Sequence, residues 1–141
     1  MAKIWIKNTL KTYKPNRAEI KKIVKTVLAS ENISIDSEFT ICFVNDEAMR
    51  RYNKKYHNSD STTDVLSFSL SGSPESILGE IIISFDTAKF NSRIFKTNPI
   101  REVNLYVIHG ILHILGYDDL SPQDRKIMRK KENYYLSLLK L

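Results

Sequence analysis

The hydrophobic positions fall into segments of two periods. Residues 2–7 alternate weakly, Ile4 and Ile6 against Lys3 and Lys7, the period of a half-buried strand. Asn16 with Glu19 three residues on has the form of a capping box, and Ile20, Ile23, Val24, Val27 and Leu28 follow at helical spacing. Residues 39–44 read as a short apolar strand, Asp46 to Lys55 as a polar helix and 56–63 as a loop. Strands are predicted over 64–70 and 79–85 with a turn over 71–76 between them, and a short helix near 86–93. Asn98 and Pro99 open the next helix, whose apolar face is Ile100, Val103, Val107, Ile111 and Ile114, and Gly116 ends it. Ser121, Pro122 and Asp124 open a last helix with a stripe of Ile127, Met128, Lys131, Tyr134, Tyr135, Leu138 and Leu139. This order predicts an α+β fold: one mixed sheet of about four strands packed with several helices.

Composition narrows the class. The chain has 141 residues with 42% hydrophobic and 27% charged side chains, which predicts a single soluble domain over 1–141. No apolar run approaches the roughly 20 residues that span a bilayer. The lone Cys42 excludes an internal disulfide and reads as a small buried hydrophobe, and Trp5 as core or edge packing. The N-terminal residues lack the apolar core of a secretory signal, so a cytoplasmic protein is expected. The net charge of +6 is unevenly placed: residues 1–30 carry eight bases and one acid, 121–141 six bases and two acids, and 31–120 eight bases and thirteen acids. Basic ends of this kind suit phosphate neutralisation along a nucleic acid, or else simply solvate helix faces.

The stretch HGILHILGYDDL, residues 109–120, carries the chemistry. His109 and His113 are four apart on the best-marked helix, so both side chains share one face at the spacing by which two imidazoles grip one metal ion. The helix stops at Gly116 and the chain returns with Asp118 and Asp119, which can offer a further ligand. Position 110 is Gly, where a metalloprotease helix would place its Glu general base, so peptide hydrolysis by that route is unsupported.

This stretch resembles the H-G-x-L-H-x-x-G-Y-D-H signature of the YbeY family of bacterial metal-dependent endoribonucleases, implicated in ribosomal RNA maturation. Thr63 to Phe68, TDVLSF, matches a second family block, and Gly79, Glu80 and Ile81 stand where the family usually shows G-D-I. The blocks agree in order and spacing over roughly residues 38–120. The resemblance implies a small α+β fold, one zinc ion per chain held by three side chains, and single-stranded RNA as substrate. It further implies a role in ribosomal RNA maturation and ribosome quality control. The partners implied are a ribosomal RNA precursor and the small ribosomal subunit or its assembly factors, with neither DNA nor membrane expected.

By position, the metal ligands would be His109, His113 and Asp119. The chain departs from the signature here, because Asp119 stands where the family has His. Asp118 matches the family's own Asp and would orient a ligand or take part in catalysis; an exchange of roles between the two aspartates stays open. His57 stands where the family generally carries an Arg thought to matter for RNA processing. It is a weaker phosphate contact, a proton shuttle or an exposed loop residue, since imidazole is cationic only near and below pH 6.5. Thr62 and Ser69 replace two family prolines. The general base is unassigned among Glu80, Asp118 and His57. A rival reading keeps the fold but makes the chain an RNA-binding assembly factor with weak or no turnover; another makes it a metallohydrolase of a different substrate.

Overall fold

A computed structural model describes residues 2–70 and 75–141. In chain order the elements are β1 (Ala2–Asn8), α1 (Arg17–Ser30), β2 (Asp36–Val44), α2 (Asp46–His57), β3 (Val65–Ser69), β4 (Ser76–Ser84), α3 (Phe85–Ile94), α4 (Pro99–Ile114) and α5 (Pro122–Leu138). The expected turn over 71–76 falls mainly outside the described residues, although Ser76 already belongs to β4. Among the described residues no helix is long and apolar enough to cross a membrane.

The four strands form one mixed sheet in the order β1-β2-β4-β3. β1 and β4 both run parallel to β2, and β3 runs antiparallel to β4. The fold class is therefore the expected α+β arrangement. Alternation along the strands sends two sets of side chains to two faces. Phe39, Ile41, Phe43, Ile81 and Ile83 point to the face covered by α1 and α4, and make the main core with Val24, Val27, Val107 and Ile111. Leu66 and Ile82 point the other way and pack with Val44 and Met49 under α2. That second face is incompletely covered: Trp5 on β1 is 54% exposed and Leu78 on β4 38% exposed. Trp5 is thus edge packing, with its indole Nε1 donating to Glu38 at 3.2 Å.

The helix starts follow their caps. Asn16 Oδ1 accepts from the Glu19 amide at 3.1 Å. The Glu19 carboxylate does not complete the reciprocal box but accepts from Asn104 Nδ2 on α4 at 3.0 Å, so the capping residue also ties α1 to α4. Ser84 Oγ accepts from Thr87 N at 3.2 Å, which ends β4 one residue earlier than the apolar run suggests and turns Phe85 into a helix. α2 likewise runs on to His57 and closes on Asn58 in the left-handed conformation, φ 52°.

The last helix corrects the expected stripe. On α5 the buried side chains are Met128, Tyr135 and Leu136, whereas Ile127, Tyr134 and Leu138 are exposed. The inward face is therefore Met128, Glu132, Tyr135 and Leu136, with a carboxylate in the position an apolar residue would fill.

Candidate metal centre

α4 runs through the middle of the molecule and is buried on most of its circumference. Asn98 caps it, accepting from Arg101 N at 2.9 Å, and Pro99 fills the first turn, where no amide donor is needed. Gly110 faces the sheet: a Cβ there would meet Ile81 Cδ1 and Cγ2 at 2.9 Å. The absence of a side chain at 110 lets the helix lie against β4, and a metalloprotease-type Glu would be directed into the core rather than toward the histidines.

The C-terminus of α4 builds the site. Gly116 N donates to His113 O at 3.1 Å and Tyr117 N to Leu112 O at 3.0 Å. This is the paired Schellman closure, and it requires the positive φ of 111° that Gly116 adopts. The reversal brings Asp118 and Asp119 back beside the last turn. One ligand atom each from His113, Asp118 and Asp119 lies within 4.8 Å of the others. His109 Nε2 is 3.5 Å from Asp119 Oδ2. Two donors bound tetrahedrally at zinc-like lengths lie about 3.3–3.6 Å apart, so this pair already has the separation of co-ligands. The two imidazole rings are parallel within 3°, with centroids 6.4 Å apart.

The surroundings hold these groups in place. His109 Nδ1 is 2.6 Å from Glu132 Oε2 on the inward face of α5. With Nδ1 donating to that carboxylate, Nε2 is the nitrogen on the Asp119 side, the one a metal ion would take in place of a proton. Burial alone would push the His109 pKa down. The hydrogen bond to Glu132 and the charges of Glu132, Asp119 and Asp64 outweigh it and hold the group above the ordinary histidine value. Asp118 Oδ1 accepts from the Asp119 amide at 2.9 Å, shaping the turn. Arg125 Nη1 donates to Leu120 O at 3.1 Å and Asp119 O at 3.4 Å, tying the loop to α5. From the far side, Glu31 accepts from Tyr117 Oη at 2.6 Å, Lys131 Nζ at 2.9 Å and the Tyr135 hydroxyl, so the end of α1 anchors the same loop. A cleft of about 260 Å³ opens beside His109 and Asp119, with Asp64, Arg125, Arg129 and Glu132 on its walls.

Four of the residues singled out from sequence therefore converge: His109, His113, Asp118 and Asp119. His57 does not join them. It is exposed, its ring lies 5.9 Å from that of Phe68, and Phe68 packs on the sheet face opposite α4. Glu80 is paired in register with Phe68 and shares that opposite face. Sequence reasoning missed Glu132 and Asp64. A carboxylate one turn after Met128 on the inward stripe was the available signal for Glu132. For Asp64 it was an acid at the head of the TDVLSF block.

Comparison with known proteins places this geometry in a family. The family model described as endoribonuclease YbeY matches residues 5–140. The chain is similar to the endoribonuclease YbeY of Desulforamulus reducens, 38% identical over 85% of this chain and 84% of the relative. It is also similar to that of Clostridium botulinum strain 657, 30% identical over 95% of this chain and 94% of the relative. In fold it is similar to the solution structure of TM1509 from Thermotoga maritima, with a TM-score of 0.65 at 23% identity, covering 99% of this chain and 89% of that one. A match across nearly the whole chain, relatives of similar length, and the His109–Asp119 signature on its own helix and turn together make the chain a member of the YbeY endoribonuclease family.

Proposed function

We propose that this protein is a metal-dependent endoribonuclease that cleaves single-stranded RNA, acting in ribosomal RNA maturation and quality control in the cytoplasm. Its substrate is a ribosomal RNA precursor, met on the small ribosomal subunit or with its assembly factors. The observation that carries the reading is the convergence of His109, His113, Asp118 and Asp119 at the end of α4, in a chain whose relatives are named endoribonucleases.

The donor set fits one zinc ion. Two imidazoles and a carboxylate are a usual catalytic zinc set, and three protein ligands leave a position for solvent or substrate. His109, His113 and Asp119 would hold the ion. When bound, it supplies Lewis-acid polarisation of a phosphoryl oxygen and activation of water. Around it the chain's own residues do the rest. Glu132 keeps the proton on His109 Nδ1 and so keeps Nε2 available. Asp118, held in the same cluster, would accept a proton from the attacking group. His57 lies outside this reacting centre, and we assign it no part in the proton transfers.

The test is cleavage of a single-stranded RNA by protein purified to homogeneity, beside His113→Ala. The reading expects cleavage that a chelator abolishes, that added zinc restores, and that falls at least about a hundredfold in the variant. Equal cleavage by parent and His113→Ala would mark a contaminant. Salt-sensitive RNA binding with no cleavage under any metal would favour the assembly-factor reading instead.

A further inference from the structure

The cleft beside the metal centre contains a cation that the centre itself does not use. Arg125 and Arg129 stand one turn apart on α5, and both line the cavity that also contains His109 and Asp119. Their situations differ. Arg125 is engaged, donating through Nη1 to the carbonyls of Asp119 and Leu120. Arg129 makes no hydrogen bond or ion pair with any of the described residues, although Asp64, Asp119 and Glu132 line the same cleft. Glu132 is turned to His109 instead. A planar guanidinium left without a partner on the wall of a polar cleft, next to a centre that would act on a phosphodiester, matches the geometry of an incoming phosphate.

We propose that Arg129 anchors a backbone phosphate of the RNA next to the scissile one, and so positions the substrate across the metal centre. The proposal rests on the nuclease reading above and adds a substrate contact to it. Arg125 supports the wall of this subsite through the loop it ties down. Arg129 is the cleaner residue to change, since it is exposed and holds no part of the fold together.

The experiment compares the full-length parent with Arg129→Gln and Arg129→Lys. It measures steady-state cleavage of a single-stranded RNA, and equilibrium affinity for a short 2′-O-methyl oligoribonucleotide across a range of salt. For Arg129→Gln the expected results are a KM about tenfold higher with kcat within about twofold, and oligonucleotide affinity about tenfold weaker. The slope of log affinity against log salt should become shallower by about 0.7, one single-strand phosphate contact. Zinc content should match the parent, and Arg129→Lys should recover part of the affinity through its charge but not the fork. Affinity and salt slope equal to the parent's in Arg129→Gln overturn the proposal. So does a loss of kcat at unchanged KM, which would give Arg129 a different role. A parent that binds the oligonucleotide but cuts no RNA removes the nuclease reading and leaves the binding comparison to decide on Arg129. A parent with no affinity for the oligonucleotide overturns both.

Discussion

Glu132 decides which nitrogen of His109 is free. At 2.6 Å from Nδ1 it orients the ring with Nε2 toward Asp119, and partners of this kind typically change metal affinity 10–100-fold when removed. Glu132→Gln should therefore weaken zinc binding by about that factor, read by competition with a chelator of known affinity; unchanged affinity would show that the ring is oriented without it. Glu31 acts on the same loop from the other side. Its side chain is 9% exposed. Burial would raise its pKa, but the hydrogen bonds from Tyr117, Tyr135 and Lys131 outweigh burial and hold it below the ordinary carboxylate value. A carboxylate held low stabilises the fold above its unfolded value of about 4.3 and ceases to do so as pH falls through the lower folded value. Glu31→Gln should cost about 1–3 kcal/mol at neutral pH and flatten the loss of stability on acidification below about pH 4.3. Denaturant unfolding at a series of pH values reads both. An acid limb identical to the parent's would contradict the account.

At the scale of elements, α4 is the part on which the site depends, and its seat on the sheet depends on Gly110. Gly110→Ala gains roughly 1 kcal/mol of helix propensity. It also drives a methyl to 2.9 Å from two carbons of the fully buried Ile81, and overpacking of this kind costs about 1–3 kcal/mol. The overpacking should win, because Ile81 is branched at Cβ and enclosed, so the variant should unfold at lower denaturant; equal or raised stability would show that α4 can lift off β4 freely. The caps and periods behind these elements were legible in the sequence. Asn98, Pro99 and Gly116 mark α4 to the residue, and the spacing of His109 and His113 delivers two imidazoles to one face. Two things were not legible. The parallel pairing of β4 with β2 joins segments far apart in sequence, and nothing local encodes it. The stripe expected on α5 holds at Met128, Tyr135 and Leu139, but the exposed Ile127, Tyr134 and Leu138 widen it, and an apolar pattern does not single out Glu132, the partner of His109.

For the whole molecule, the two faces of the sheet divide the work. The α4 face has the deep core, the candidate metal site and the cleft, with the basic α5 along its wall. The α2 face has the smaller cluster, His57 and Glu80. The chain's acidic middle supplies the carboxylates of the centre, and its basic ends supply helices that border it. On the reading proposed above, His109, His113 and Asp119, brought together by a helix end and the turn after it, would hold one metal ion with Asp118 beside them. Elemental analysis of untagged protein purified without chelator tests it most directly. About one zinc per chain in the parent, largely lost in His109→Ala and in His113→Ala, is the result this account predicts. A parent that holds no metal even after incubation with zinc would contradict it, and would leave an RNA-binding protein on a nuclease fold.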